Sequence, residues 1–331
     1  MFIEFTTVIG CTNKCVFCPQ ATLSKAYFSR NKSKYTRLLS LTNFIKMVDK
    51  LPQEMEIFLS GMSEPFQNPY CLKMAQYALK SGHNLNICST LIGLSSDKLK
   101  QLLRTIKTTK QRCKFMIHLP SEGKFERIPV TPMYEETLKI LLQTDGYLEF
   151  HYHYDELNHK VSKIMKRSKY KPTLMRITNR TGHVKLDVVD APRRSRGIIA
   201  CSRRKEHGFV VLPDGTVIFC CQDWGMKHVL GNLLTSDYET IYKSRANKII
   251  DKGLKDESLD ILCRTCDQTI NVNARAQFYN TKFSLKKILL GTKMIAYNNF
   301  KPIYRYLWSI KNAVKKQDMK DPQVVDKFFE N

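Results

Sequence analysis

The chain has 331 residues, with 54 Lys and Arg against 30 Asp and Glu, so its formal charge is +24. A hydrophobic share of 43% supports buried cores and excludes a disordered polar chain, and the length allows one large domain plus a smaller one. No run approaches the ~20 apolar residues of a membrane span, and the positive excess reads either as affinity for polyanions or as a lysine-rich surface.

The chain opens on an apolar, β-branched run, Phe2–Val8, that reads as a strand. Glu4, Thr6 and Thr7 interrupt it where a secretory leader needs an unbroken apolar stretch, so no leader is expected. Eleven cysteines without a leader point to metal ligation in a reducing compartment, the cytoplasm, rather than to disulfides. Three of them follow the first strand at once, as Cys11-x3-Cys15-x2-Cys18. Three thiols cannot pair off as disulfides, and three is one short of a closed zinc site. Three is right for a [4Fe–4S] cluster with one iron left open. The bland reading is three buried thiols or a zinc knuckle short of a ligand.

Beyond that loop the first half alternates short apolar runs with amphipathic stretches. Expected strands after Phe2–Val8 are Glu56–Ser60, Leu85–Ser89, Lys114–Leu119, Tyr147–His153 and Leu174–Thr178. Helices are expected near Thr42–Leu51, Pro69–Ser81, Ser96–Ile106, Pro132–Gln143 and Asp155–Arg167. Asn68-Pro69 reads as an N-cap followed by proline at the first helical position, and Gly82 as the stop. Strands alternating with helices imply parallel pairing through right-handed crossovers, and six units are too few to close an eight-stranded barrel. Chemistry belongs at the carboxyl ends of such strands. Ser89, Thr90 and His118 fall there, as turn residues or as ligand contacts. His151 and His153 share one face of the fifth strand, either at the barrel mouth or in the core.

A second constellation comprises Cys201, Cys220 with Cys221 adjacent, and Cys263-x2-Cys266. Two short runs between Phe209 and Phe219 flank Pro213-Asp214-Gly215, a hairpin turn signal. Gly231-Asn232 and a helix from about Asp237 to Lys252 lead to the last pair. Two cysteines flanking a hairpin and two on a tight turn make a four-cysteine metal site, which zinc would also fit. Cys221 can stand in for Cys220. Cys71, Cys88 and Cys113 lie in apolar elements and read as core fillers.

The first motif, with Phe17 directly before the third cysteine, resembles the signature of the radical S-adenosylmethionine (radical SAM) superfamily. The resemblance implies an α/β fold, a partial (β/α)6 TIM-like barrel over roughly residues 1–180. It implies a [4Fe–4S] cluster on Cys11, Cys15 and Cys18 whose open iron chelates S-adenosylmethionine, and a 5′-deoxyadenosyl radical that abstracts a hydrogen atom from substrate. Ser60-Gly61-Met62-Ser63-Glu64-Pro65 resembles the family's GxGEP segment, with Ser63 replacing the second glycine. The cofactor-binding set implied is therefore Phe17, Gly61, Met62, Ser63, Glu64 and Ser89, with Glu64 as the buttress of its loop. The segment with Gly215-x4-Cys220, the stretch from Gly231 through Tyr242 and the closing Cys263-x2-Cys266 looks like a shortened SPASM (Twitch) domain. One auxiliary [4Fe–4S] cluster on Cys201, Cys220, Cys263 and Cys266 follows from it. The expected division is barrel 1–190, small α+β Cys-rich domain 191–280 and basic tail 281–331.

One auxiliary cluster without large insertions is similar to the aminocyclitol dehydrogenase, whereas the sulfatase-maturing enzymes use two. Peptide-modifying relatives commonly carry a leader-recognition domain before the barrel, and here the first cysteine stands at residue 11. The expected partners are a small anionic or sugar-like substrate and a reductant such as flavodoxin or ferredoxin, with nucleic acid not expected. Arg193, Arg194, Arg196, Arg203 and Arg204 around Cys201 are candidate anchors for a substrate phosphate or carboxylate, and Asn179-Arg180-x-Gly182 is a further contact candidate. From Phe283 to Lys316, basic residues interleave with Tyr297, Phe300, Tyr304, Tyr306 and Trp308, a pattern suited to an anionic membrane surface, to packing on the barrel or to RNA. A peptide-modifying maturase is the alternative within the same chemistry, and a zinc protein bound to nucleic acid the alternative outside it.

Overall fold

The first four strands, four to six residues long and carrying Ile, Phe and Leu, are buried at alternate residues or nearly throughout, and each strand crosses to the next through a helix. The computed structural model describes residues 1–30, 36–123, 125–153, 156–201 and 208–272, which fall in one unit, Met1–Asn273. Arg203, Arg204 and the basic tail lie outside the described residues.

The barrel portion runs β1 (Phe2–Phe5), α1 (Gln20–Arg30), α2 (Leu41–Val48), β2 (Glu56–Leu59), α3 (Cys71–Lys80), β3 (Leu85–Ser89), α4 (Ser96–Thr108), β4 (Cys113–His118), α5 (Pro132–Leu142), β5 (Tyr147–His153), α6 (His159–Lys166) and β6 (Thr173–Met175). All six strands pair in parallel and in sequence order, for example Phe5 with Leu59, Leu59 with Ile87 and Ile117 with Phe150. This is the open partial barrel that six units imply. Ile3, Phe5, Ile57, Ile87 and Ile117 face the helical layer and are fully buried, with the Phe5 and Phe44 rings edge-on at 5.0 Å. Ser40, Ser95 and Thr131 cap α2, α4 and α5 by accepting from the third backbone N–H beyond them.

Two local expectations change. Asn68 does not start a helix: residues Pro65–Gln67 form a 3-10 turn, and α3 begins at Cys71. The Asn68 amide instead donates to Thr7 O and Leu39 O at 2.7 and 2.8 Å, tying the end of β1 to the chain before α2. Helix α1 has no counterpart in the expected elements, because only Leu23 and Tyr27, one turn apart, are buried on it.

The remaining elements are β7 (Ile199–Cys201), β8 (Val210–Val211), β9 (Thr216–Ile218), β10 (Val229–Asn232), α7 (Tyr238–Tyr242), α8 (Arg245–Lys255) and β11 (Thr269–Asn271). Pro213-Asp214-Gly215 makes the β8–β9 hairpin, with Gly215 at φ +84° and its N–H donating to Leu212 O. The stretch expected as one helix divides at Ser244, whose hydroxyl accepts from Asn247 N and caps α8. β8 adds in parallel to the free edge of β1, with Glu4 N donating to Phe209 O and Thr6 N to Val211 O, both at 2.9 Å. A single sheet therefore runs β10-β9-β8-β1-β2-β3-β4-β5-β6, while β7 and β11 form a separate antiparallel pair. Among the described residues no helix is long and apolar enough to cross a membrane.

The junction depends on Gly208, where an added Cβ would fall 1.0 Å from Phe2 O and 2.7 Å from Ile3 N. Backbone cannot yield as a side chain tip can. Gly208→Ala is expected to cost about 3 kcal/mol of stability, read as a lower urea midpoint, whereas Gly146→Ala, with open space around it, leaves the midpoint in place.

Candidate active site

The cysteine loop leaves β1 and is held by its neighbours rather than by its own regular structure. Val16 N donates to Phe125 O at 3.0 Å and Cys18 N to Cys15 O at 3.1 Å. The side chains of Cys11, Cys15 and Cys18 all line a cavity of about 810 Å³ at the carboxyl ends of the strands. Backbone N–H groups of Asn13 and Glu64 face the Cys11 sulfur, that of Arg127 faces Cys15 and that of Gln20 faces Cys18. The Gln67 and Gln20 amides add N–H···S contacts at 3.7 and 3.6 Å to Cys11 and Cys18. Burial pushes all three thiols up, Cys15 to about 12 and Cys18 to about 11. A pocket that disfavours bare thiolates yet aims N–H donors at each sulfur suits sulfurs whose charge is shared with iron. Among the described residues no three His, Cys, Asp or Glu side chains close on one point as ligands of a single ion would. The donor set fits a cluster seated against the cavity.

The loop after β2 approaches β1 closely. Gly61 has φ +66°, and a Cβ there would meet Thr6 Oγ1 at 2.2 Å and Thr6 Cα at 2.7 Å. This brings Met62 N to Thr6 Oγ1 at 3.3 Å, and Met62 O accepts from the Gln20 amide. Glu64 is buried. Its Oε1 accepts from Ser89 Oγ at 2.7 Å and Phe66 N at 3.3 Å, and its Oε2 accepts from Thr90 N and Thr90 Oγ1, both at 2.6 Å. Burial pushes the Glu64 carboxyl up and these donors pull it back. Thr90 Oγ1 in turn accepts from Asn13 Nδ2 at 2.9 Å. One carboxylate thus joins the loops after β1, β2 and β3. Phe17, Gly61, Met62, Ser63, Glu64 and Ser89 all line the cavity together with the three cysteines.

The far wall is polar. His118, His151 and His153 line it from β4 and β5, and Arg180 from the turn after β6. Residues that sequence reasoning passed over also belong to it: Asn13, Gln20, Glu126, Gln222 and Trp224. Glu126 sits in the loop after β4, so strand-end position alone was the available signal. Among the described residues, most buried polar atoms without a hydrogen-bond partner belong to this lining, including Asn13 Oδ1, Gln20 Oε1, Ser63 Oγ, Glu126 Oε2, His151 Nδ1, Thr178 Oγ1, Gln222 Oε1 and Trp224 Nε1. Buried groups of this kind ordinarily find partners, and their concentration here marks a cavity shaped for a polar ligand. Arg193, Arg194 and Arg196 are not part of it. Arg194 instead pairs with Asp260 at 3.5 Å and donates to Glu257 O.

Of the second cysteine group, Cys201 ends β7 opposite Thr269 of β11, and Cys220 follows β9. Cys263 and Cys266 flank a 3-10 turn, Leu262–Thr265. Gln222 N and Gln268 N donate to Cys220 Sγ and Cys266 Sγ, each at 3.4 Å, which repeats the pattern of the first site. Cys266 is pushed up to about 12 by burial, with Asp267, Cys201 and Cys221 close enough to add to the effect. Hydrogen bonding to Cys221, then burial, raises Cys220, and Cys266 contributes. Cys221 reaches the main cavity while Cys220 does not. Cys71 and Cys113 are core residues, but Cys88 lines the cavity. The buried Arg264 guanidinium donates to Ser195 O, Gly197 O and Gly253 O at 3.3, 2.5 and 2.6 Å, which ties the approach to β7, the end of α8 and the Cys263–Cys266 turn into one body.

Glu64→Gln must turn an N–H2 toward donors that now meet a carboxylate. A stability loss of about 2 kcal/mol is expected, measured by urea unfolding and accompanied by lower iron uptake at the first site. A variant as stable as the wild type would show that the four hydrogen bonds carry no net weight.

A protein-family model described as the SPASM iron–sulfur cluster-binding domain matches residues 201–267. A search among curated proteins finds no match. Among solved structures, BtrN in complex with AdoMet and 2-DOIA aligns at a TM-score of 0.53 and 17% identity, covering 82% of this chain and 94% of that one. SuiB of Streptococcus suis bound to the precursor peptide SuiA aligns at 0.52 and 11%, covering 80% and 69%. AnSMEcpe with bound AdoMet and Cp18Cys peptide aligns at 0.51 and 12%, covering 80% and 85%. At these identities the three share the fold. Residues 201–267 thus match an iron–sulfur cluster-binding domain, and the Cys11-x3-Cys15-x2-Cys18 loop stands at the mouth of a barrel whose fold these three structures share.

Proposed function

We propose that this chain is a radical SAM oxidoreductase that takes a hydrogen atom from a small hydroxylated substrate, sugar-like or aminocyclitol-like. When bound, the cluster and S-adenosylmethionine supply the 5′-deoxyadenosyl radical, and the auxiliary cluster supplies an acceptor for the second electron. Cys11, Cys15 and Cys18 would hold the first cluster, with Gly61, Met62, Ser63, Glu64, Ser89 and Phe17 around the cofactor. Cys201, Cys220, Cys263 and Cys266 would hold the second.

The observation that carries this reading is the composition of one cavity. At about 810 Å³ it suits a small molecule. Its wall includes the three N-terminal cysteines and, from the SPASM domain, Cys221, Gln222, Trp224 and Gln268. A substrate held there lies against both halves. The unpartnered buried atoms are amide, hydroxyl, imidazole, indole and carboxylate groups, a set matched to hydroxyls, each of which donates and accepts. The structural likeness to BtrN with 2-DOIA agrees with this size and polarity. The peptide complexes of SuiB and anSMEcpe support a second reading, modification of a peptide side chain in the same cavity.

After anaerobic reconstitution, about eight irons and eight sulfides per chain are expected, where a zinc protein would hold neither. Incubation with S-adenosylmethionine, dithionite and carbon-deuterated 2-DOIA, myo-inositol or aminosugars should yield 5′-deoxyadenosine carrying deuterium. The triple variant C11A/C15A/C18A should lose about four irons and all S-adenosylmethionine cleavage. Deuterium transfer from a peptide but from no polyol would overturn the small-substrate reading in favour of the second.

A further inference from the structure

Oxidation of an alcohol removes more than a hydrogen atom from carbon: the hydroxyl must also lose its proton. The cavity contains one arrangement built to receive it. Glu126 Oε1 accepts from the His153 backbone N–H at 2.8 Å and lies 2.6 Å from His153 Nδ1. The carboxylate side chain is 1% exposed and the imidazole 8%. The backbone donor fixes the carboxylate, and the carboxylate places the ring proton on Nδ1, which leaves the lone pair on Nε2. Nε2 has no partner among the described residues, and the ring belongs to the cavity wall. Phe17 packs against this imidazole with ring centroids 4.6 Å apart, and His118 stacks on it at 5.3 Å and 7°. Two neighbouring rings thus pack against it.

We propose that His153, oriented by Glu126, is the catalytic base that accepts the substrate's hydroxyl proton. The proposal rests on the alcohol-oxidation reading above. In that reaction the carbon-bound hydrogen atom passes to the 5′-deoxyadenosyl radical and the hydroxyl proton to His153 Nε2. The remaining electron goes to the auxiliary [4Fe–4S] cluster as the carbon–oxygen double bond forms. Of the neighbouring imidazoles, His118 is too weak a base, and His151, whose buried Nδ1 is also unpartnered, is oriented only by a longer carboxylate contact. Burial, aided by His153, His151 and Arg180, pushes His118 down to about 3, so it stays neutral. His151 turns Nε2 toward Glu149 at 3.6 Å. Glu126 Oε2, buried and unpartnered, remains as an acceptor for a second hydroxyl.

Two measurements on the reconstituted holoenzyme test this. Diethyl pyrocarbonate attacks an imidazole nitrogen that carries a free lone pair, and peptide mass mapping should find His153 modified in the absence of S-adenosylmethionine. Glu126→Gln, which removes the group that fixes the tautomer, should slow that modification. An inert His153 beside a reacting His159, whose side chain is 64% exposed, would overturn the assignment. In turnover with 2-DOIA and myo-inositol, His153→Gln and Glu126→Gln should lower the ketone formed per 5′-deoxyadenosine by at least about tenfold. An unchanged ratio in both variants would also overturn it. If the wild-type enzyme oxidises neither probe, the alcohol reading fails, and the modification experiment still judges His153.

Discussion

The buried Glu64 carboxylate is the constraint on which the site depends. The cysteine loop has no ladder of its own, and a loop without one must be ordered against its conformational entropy by contacts from outside. Glu64 supplies them at one remove. Its Oε2 fixes Thr90 through two short hydrogen bonds, and Thr90 fixes Asn13, which lies between Cys11 and Cys15. Gln67, at the end of the turn that Glu64 caps, reaches the same loop through Thr12 and the Cys11 sulfur. Charge-assisted hydrogen bonds of this kind contribute about 1.5–3 kcal/mol each. They offset part of the carboxylate's desolvation.

The second constraint is the shared sheet. A Cys-rich domain joined to a barrel by a linker would leave the spacing of its two sites to chance. Here β8 takes the open edge of β1, so the hairpin leading to Cys220 and Cys221 is registered residue by residue against the strand that leads to Cys11. The same addition covers the β1 edge, which in an open barrel would otherwise present unpaired backbone groups. Lys50 reinforces the join from the turn after α2, donating to Leu233 O, Leu234 O and Ser236 O at 2.8–3.3 Å. Both halves therefore meet the cavity as parts of one sheet.

Much of this was legible in the amino-acid order. The strand positions followed from short apolar runs alternating with amphipathic stretches, and the hairpin from Pro213-Asp214-Gly215. The spacing of the cysteines located both candidate sites. What escaped was whatever tertiary contact decides. Helix α1 carries too few apolar residues to show a period, yet Leu23 and Tyr27 suffice once the barrel is there to receive them. Asn68 followed by proline has the form of a helix cap, but its amide finds better partners in Thr7 and Leu39. Glu126 and Arg264 belong to no motif. One is recognisable only when it meets His153 across the cavity wall, the other only when four carbonyls converge on it. The parallel addition of β8 to β1 joins residues 206 positions apart, Glu4 with Val210 and Phe5 with Val211, a pairing that no local pattern encodes.

The charge of the cavity follows from the backbone after β6. Arg180 and Thr181 both adopt left-handed conformations, at φ +47° and +57°, which cost β-branched and long side chains of order 1–3 kcal/mol each. Asn179 compensates, its Oδ1 accepting from Thr181 N at 2.9 Å while its own N–H donates to Asp267 at 2.8 Å. The turn is thus clamped to the residue next to Cys266. Its product is a guanidinium in the cavity wall, near enough to Cys18 and His118 to lower the pKa of each. A cation there favours the thiolate form of Cys18 and opposes a positive charge on His118. His118 consequently meets a ligand as a neutral group.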